Sequence, residues 1–337
     1  MPELSGIEYE IVEPHHEFID PAKYPSYMEF LEYCIRICYK SDPTDEPAEK
    51  FVKRISSKHV SVLEHANCIM DIQSSSPELE LFRIIGPFDY DTYHGRRLFA
   101  LRASRPYPET LRLSGNMRMW MELMDSDYVD VGNEMAVRLN TKWPAMFEMP
   151  TEASGAPPRI RLLDENPLTN TNELAICEMM RHMTLTCNLV GDRTMSHQLV
   201  RHRLAYFSQE SQRFCDYGKK GLKFIIPPKI LNAEPRIFNM WLEDVINDYK
   251  VYLALRDVKI PAEDARSKLP NAAKTEVVTT CTLGNWDHVF NQRPRNPKAQ
   301  WQIKATIGGA EEDFKVRLPE VFSKPHCMCS ICARTAA

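Results

Sequence analysis

Apolar positions along the chain recur with two different periods, and the changes between them mark out the elements. Between Tyr24 and Ile55, Phe30, Leu31, Cys34 and Ile37 share one helical face, and a polar break over 41–47 (SDPTDEP) separates a first helix from a second over 48–57. Residues 59–71 read as a turn leading into a strand over 66–72. From 73 to about 173 the text is irregular and rich in Pro and Gly, with helical patches only at 117–124 and 133–139. A β-rich run over 183–190 precedes a helix carrying Met195 to Arg203, and residues 224–228 read as a short buried strand ended by two prolines. Ile237, Trp241, Val245, Tyr249 and Leu253 return every four residues and predict a helix. A further helix is expected over 272–291, up to the break at 294–297 (PRNP), with a final helical part opened by 300–304 and 311–314. Strands and helices mix without βαβ alternation and without an internal repeat, so the expected class is α+β.

Composition bounds what such a chain can be. At 337 residues, 43% hydrophobic and 26% charged, it can bury a sizeable core as two domains or one decorated domain, with no need of a disulfide framework or metal. A net charge of −4 argues against a protein that coats nucleic acid or an acidic membrane. No stretch approaches the ~20 consecutive apolar residues of a membrane span. The N-terminal text, MPELSGIEYEIVEPHHEF, lacks the basic region and apolar run of a secretory signal, and His15 and His16 read there as exposed. Several of the 10 cysteines sit inside apolar runs, where a free thiol behaves as a small hydrophobe; the expected compartment is reducing and cytoplasmic.

The densest chemistry lies in 196–217, SHQLVRHRLAYFSQESQRFCDY. Arg201, His202 and Arg203 stand together, and Ser211 and Arg213 follow at short offsets. Clustered guanidinium groups offer planar, bidentate donors for phosphates, and the interleaved Ser, Gln and Glu suit a polar planar ligand. Taken alone, RHR also fits a solvated basic turn. Glu64-His65 alone fits a satisfied buried pair. His326, Cys327, Cys329 and Cys332 crowd into the tail, but a zinc site usually needs two such pairs separated in sequence, and no metal is expected.

RHR followed by seven residues and then Ser resembles the signature of the flavin-dependent thymidylate synthases, the ThyX family. The resemblance extends to CIRICYKS and FVKRISSKHVSVLEHANCIMDI upstream, and to RSKLPNAAKTEVVTTCTLGNWDHVFNQRPRNPKAQWQI downstream. Three blocks in order, within 26–73, 183–230 and 262–304, are similar to that family. The resemblance implies a ThyX-like fold of mixed helices around an antiparallel sheet. It also implies an enzyme that methylates dUMP at C5 to dTMP, with FAD as cofactor and methylenetetrahydrofolate and NADPH as co-substrates. A homotetramer with active sites at subunit junctions is implied as well, with no nucleic-acid or membrane partner.

Carried over residue by residue, Arg201, His202 and Arg203 match flavin contacts, while Gln198, Ser211 and Arg213 match dUMP contacts. Ser211 is the signature serine and reads as a positioning and polarising group, since no general base is set up beside it. Arg266 matches a further phosphate contact. Arg293 matches the arginine that lies against the uracil and favours its ionised form. His59 and Ser61 match positions near the flavin, as does His288, and Gln209 falls where members carry Glu or Gln.

About 100 residues, roughly 74–182, read as an insertion between 1–73 and 183–320, the two parts of the ThyX-like domain, with 321–337 as a Cys-containing tail. Compact members bind flavin with an Asn-x-Arg pair where this chain has Thr282 and Gly284, so Asn116 and Arg118 are expected to replace it. The alternative there is an amphipathic helix with Met and Trp buried and Arg118 solvated. Two rival functions remain at this level. One is the same flavin chemistry on UMP or dCMP, or with a hydroxymethyl product; the other is a non-catalytic nucleotide- or RNA-binding relative.

Overall fold

The structure, a computed structural model, describes residues 7–77, 100–124, 132–148, 159–169 and 174–323. Its strands are β1 (Tyr9–Ile11), β2 (His15–Ile19), β3 (Asn67–Gln73), β4 (Arg102–Tyr107), β5 (Thr110–Asn116), β6 (Ile160–Leu163), β7 (Thr184–Asp192), β8 (Tyr206–Gln209), β9 (Leu222–Phe224) and β10 (Lys274–Thr282). The helices of seven residues or more are α1 (Tyr27–Tyr39), α2 (Ala48–Ser56), α3 (Met117–Met124), α4 (Gly132–Lys142), α5 (Ile176–His182), α6 (Arg193–Leu199), α7 (Pro235–Asp257), α8 (Leu283–Gln292) and α9 (Trp301–Arg317).

Two four-stranded antiparallel sheets and a parallel β1–β9 pair make the class α+β. One sheet has the order β2-β7-β10-β8, and the other β4-β5-β3-β6. β10 corrects the expected helix over 272–291. Thr275, Val277, Val278, Thr279, Thr280 and Thr282 are β-branched, lose rotamer freedom in a helix and pack well on a pleated surface. Only the second half of that segment is helical, beginning as Thr282 accepts from the Asn285 N–H at 3.2 Å. The helix expected to carry Met195 to Arg203 ends at Leu199, so the RHR tripeptide lies in the turn beyond it. The short strand expected over 224–228 is β9, which stops at Phe224, before the prolines.

The segment 74–182 is more regular than its text suggests. Within it, β5 pairs with β3 from Asn67↔Asn116 to Gln73↔Thr110, β4 pairs with β5, and β6 takes the other edge of β3. All seven residues of β5 are buried, Arg112 among them. Its charge is matched by Asp71, at 2.7 and 2.9 Å, and by Glu178 of α5 at 3.2 Å. The alternation of Leu111 and Leu113 with Thr110, Arg112 and Ser114 is short and lies between Pro108 and Gly115, which is why the pattern reads as irregular. His15 and His16 likewise fall on an edge strand. His16 is half-buried over Gly309 of α9, where a Cβ would stand 2.6 Å from the imidazole Nδ1 and only glycine allows the approach.

Separate apolar clusters fill the spaces around the sheets. One joins α1, α2, β3, β5, α3 and α4, with Trp120 and Trp143 fully buried. Another packs α5, α6, α8 and α9 on the β7–β10 ladder around Trp286, Phe290 and Phe314. The stripe predicted for 237–253 does form one helix, α7, but only its Val245 and Tyr249 are fully buried and Ile237 is exposed. The His326–Cys332 cluster lies outside the described residues.

Two imidazoles are locked inside this framework. His65 is 2% exposed between the Thr280 and Ser208 hydroxyls, at 2.8 and 2.9 Å, and burial pushes its pKa down to about 3. His182 is fully buried between Ser114 (2.7 Å) and Ser104 (2.8 Å), and burial, with Arg112, Arg102 and Arg181 nearby, pushes it well below its usual value. Both stay neutral in the fold where the unfolded chain protonates them below about 6.5, so stability falls as pH drops from about 6.5 toward the folded-state value of about 3 at His65. Each contributes a slope approaching ~1.4 kcal/mol per pH unit in the middle of that window. Urea unfolding at pH 7, 6 and 5 should show net uptake of about two protons from these sites, and His65→Asn should remove one of them.

Candidate functional site

Two turns, each following a helix that springs from the β7–β10 ladder, carry the first group of candidate residues. β7 runs into α6, whose N-terminus is capped by Asp192 accepting from Met195 N–H at 2.8 Å. β10 runs into α8, held down by Trp286, which donates its indole N–H to Leu185 O at 3.0 Å. The helices leave from opposite ends of the antiparallel ladder and fold back over it. Arg293, just past α8, therefore reaches the turn after α6. Its Nε donates to His202 Nε2 at 2.9 Å and its Nη2 to Gln198 O at 2.9 Å. The loop beyond is fixed by Arg295, which donates to Glu311 at 2.9 Å and Asp287 at 2.8 Å.

Arg293 has only donors, so His202 Nε2 must accept and the imidazole proton sits on Nδ1. Burial, reinforced by Arg293 and His288, pushes the His202 pKa down to about 4. The His202 and His288 rings meet edge to face at 6.3 Å. Arg201, His202, Arg203, Asn285 and His288 line a cavity of about 240 Å³. Arg201 and Arg203 are exposed and pair with no carboxylate among the described residues. Asn285 braces the turn by donating to Leu204 O at 3.2 Å. Two unpaired guanidinium groups and a neutral imidazole with one N–H suit an anionic ligand bearing a flat ring, and a flavin dinucleotide fits that description. The cavity is smaller than the ~300–1,000 Å³ usual for ligand sites, so it would hold part of such a molecule.

A second group surrounds Ser211. Its N–H donates to Cys38 O at 2.9 Å, and its Oγ accepts from Arg213 N–H at 3.2 Å. Arg213 pairs with Glu263 at 3.3 Å on the surface, and Arg266 donates to the Glu263 carbonyl at 3.0 Å. The His59 ring lies tilted against Tyr39 and edge-on to Phe214, with centroids at 6.3 and 6.0 Å, and Ser61 is exposed on the same turn. Gln209 donates to Thr275 at 3.3 Å, and the Gln198 side chain reaches only Thr194 O at 3.5 Å. Among the described residues no hydrogen bond or ion pair joins Arg293, His202 or Gln198 to Ser211, Arg213, Arg266 or His59.

Asn116 and Arg118 are engaged elsewhere. Asn116 accepts from Met119 N–H at 2.8 Å and starts α3, while Arg118 pairs with Glu64 at 2.9 Å and Glu122 at 2.7 Å. Neither lines the 240 Å³ cavity. The amphipathic alternative holds for Met117, Met119 and Trp120, which are buried, but Arg118 is ion-paired and not solvated.

Beneath the Ser211 turn lies a buried charge cluster that the pattern did not disclose. Lys40 contacts Glu276 at 2.5 Å and Glu210 at 3.7 Å, and Lys274 contacts both acids, Glu210 at 3.2 Å. Burial would raise the Glu276 carboxyl, but Lys274 and Lys40 override it and hold it at about 2. Glu210 also accepts from the Tyr217 hydroxyl at 2.9 Å, which fixes the backbone on both sides of Ser211. The one available signal was Lys274 and Glu276 at i, i+2 in a strand, where both fall on one face.

If Arg293 helps hold His202 neutral, removing it should return the imidazole toward its ordinary range. An NMR titration should show no His202 transition between pH 8 and 5.5 in the parent, and a midpoint moved up toward 6.5 in Arg293→Ala.

Residues 171–320 match the family model described as Thymidylate synthase complementing protein. A flavin-dependent thymidylate synthase from Geobacter sulfurreducens is 34% identical over 159 residues, 46% of this chain and 67% of that protein. One from Nitratidesulfovibrio vulgaris is 35% identical over 158 residues, 44% of this chain and 63% of that protein. The chain thus spans about two thirds of the first relative's length and less than two thirds of the second's. A solved structure of the UMP/dUMP methylase PolB from Streptomyces cacaoi, with 5-Br dUMP bound, aligns with a TM-score of 0.40 and 19% identity over 45% of this chain and 81% of that one. Identity of one residue in three, sustained across two thirds of the Geobacter protein, is family-level kinship: this chain belongs to the flavin-dependent thymidylate synthases.

Proposed function

We propose that this chain is an FAD-dependent methyltransferase that converts dUMP to dTMP, using methylenetetrahydrofolate as carbon donor and NADPH as reductant. The observation that carries this reading is Arg293, held by His202 Nε2 and Gln198 O at the rim of the Arg201–His288 cavity. Burial lowers the pKa of its guanidinium, so the charge sits in a partly dry setting where it acts strongly on a neighbouring anion. Phosphate binding alone would not call for an arginine tied down in this way.

Arg201 and Arg203 would hold the dinucleotide phosphates, and His202 would donate its Nδ1–H. When bound, the flavin supplies the hydride that completes the methyl group. Arg213 and Arg266, both against Glu263, would take the nucleotide phosphate, with Ser211 near the reacting edge of the pyrimidine and His59 and Ser61 near the flavin. Arg293 would favour the ionised uracil, which raises electron density at C5. The family resemblance carries the further reading of a homotetramer with sites at subunit junctions. The seven cysteines among the described residues are free thiols, which fits a reducing, cytoplasmic setting.

Tritium release from [5-³H]dUMP, with FAD, methylenetetrahydrofolate and NADPH, tests the reading directly. Release is expected from dUMP and not from the corresponding UMP or dCMP, and Arg293→Ala should cut it by ~10²-fold or more. Release only from UMP or dCMP would move the substrate. Silence from all three in flavin-loaded protein would overturn the reaction. Arg201→Ala should weaken FAD binding about tenfold, read by flavin fluorescence.

A further inference from the structure

Glu210 stands directly before Ser211 and is 5% exposed, whereas Ser211 is partly open to solvent. Three donors from different parts of the chain hold the Glu210 carboxylate: Lys274 of β10 at 3.2 Å, Lys40 at the end of α1 at 3.7 Å, and the Tyr217 hydroxyl at 2.9 Å. Its backbone N–H donates to Glu276 O at 2.9 Å, which carries the β8–β10 pairing one residue past Gln209. Tyr217 is itself fixed by α7, since its N–H donates to the Tyr252 hydroxyl at 3.3 Å and its carbonyl accepts from the Tyr249 hydroxyl at 2.7 Å. Burial, and then the Glu210 charge, raises the pKa of the Tyr217 phenol, so it stays a donor.

Lys40 closes α1 in the left-handed region, at φ 49°, where glycine is the usual residue. A glycine there would relieve the backbone but remove the ammonium group that reaches Glu276 at 2.5 Å as well as Glu210. Ser211 Oγ accepts from Arg213 N–H at 3.2 Å, a bond inside its own turn, so the hydroxyl goes where the turn goes. The backbone of that turn is tied to α1 through Ser211 N–H and Cys38 O at 2.9 Å, and to itself through Cys215 N–H and Ser211 O at 2.9 Å. Segment 211–216 is thus a short loop whose two flanking residues, Glu210 and Tyr217, are joined to each other and to three elements of the fold.

We propose that Glu210 is a positioning residue of the reaction, whose buried carboxylate sets the place of the Ser211 hydroxyl by pinning the loop 211–216 to α1, β10 and α7. The proposal rests on the reading of Ser211 given above. A buried cluster kept for stability alone could be exchanged for apolar side chains with little loss. A cluster that places a reacting group could not, because a displacement of about 1 Å at the hydroxyl lowers the rate even in a well-folded protein.

Steady-state tritium release from [5-³H]dUMP by the FAD-loaded full chain is compared for the parent, Glu210→Gln, and the double variant Glu210→Leu with Lys274→Met. The double variant removes one charge of each sign and leaves Lys40 opposite Glu276, so circular dichroism should show a fold and melting temperature near the parent's. In both variants kcat should fall about tenfold, with FAD affinity by flavin fluorescence unchanged. In a Ser211→Ala background, Glu210→Gln should alter kcat by less than about twofold, because the loss has already been taken at the hydroxyl. Should Glu210→Gln not fold, the double variant decides, alone and combined with Ser211→Ala. A folded variant with kcat within about threefold of the parent's, or a tenfold loss that persists undiminished beside Ser211→Ala, would overturn the proposal. If the parent turns over UMP or dCMP in place of dUMP, the comparison is made with that nucleotide. Turnover by the parent with unaffected variants removes the positioning role alone, whereas a silent parent removes the reaction and this role with it.

Discussion

The nine-pair register between β7 and β10, from Lys274↔Asp192 to Thr282↔Thr184, is the constraint on which the candidate site depends. A one-residue slip would turn every side chain of the slipped strand to its opposite face, taking Leu185, Cys187 and Leu189 of β7, or Val277 and Cys281 of β10, out of the apolar cluster they help to form. It would also move the caps at Asp192 and Thr282, and with them the directions in which α6 and α8 leave the sheet. Arg293 meets His202 only because both helices return over one ladder in one register. The coupling tightens at Gln302, whose Oε1 accepts from the Asp192 N–H at 3.1 Å and fixes the start of α9 against the β7–α6 junction.

Polar groups inside this framework are tuned by what they can donate or accept. His65 sits between two hydroxyls, each able to turn its proton either way, so a neutral imidazole is satisfied without a nearby carboxylate. His202 has no such freedom, because Arg293 imposes the tautomer. The cluster of Lys40, Lys274, Glu210 and Glu276 follows a third logic, with two cations against two anions in a nearly dry setting. Removing any one member would leave an uncompensated buried charge, a far larger penalty than the net worth of the intact set.

How much of this could be read from residues alone follows from what each signal encodes. Helical stripes in α1, α2, α3 and α7 were legible because one face is apolar and the other wet. Strand β7 was legible as a β-rich run in which Leu185, Cys187 and Leu189 alternate with Thr184, Thr186 and Asn188. β10 was not, since Ala and Leu residues at its flanks blurred a β-branched run into a helical one. β5 failed for another reason: Arg112, 3% exposed, reads as a surface residue until Asp71 and Glu178 are placed beside it. The RHR turn, Ser211 and Arg293 were legible through their family spacing. Their division into two groups was not, because spacing along a chain carries no information on which turns converge.

The Arg112 triad also shows how the 102–116 hairpin is joined to the rest of the molecule. Asp71 lies on β3 and Glu178 on α5, the helix that leads directly into β7, so one guanidinium ties the β4-β5-β3-β6 sheet to α5. Apolar residues of similar volume could fill the same space with equal or greater stability, but they would tolerate several registers. A bidentate pair to Asp71 does not. It fixes Arg112 opposite Asp71 in the β3–β5 ladder, and Ser114, two residues on, is thereby placed 2.7 Å from His182 at the end of α5. The position of α5 thus depends on a contact from Ser114, 68 residues upstream of His182 in the chain.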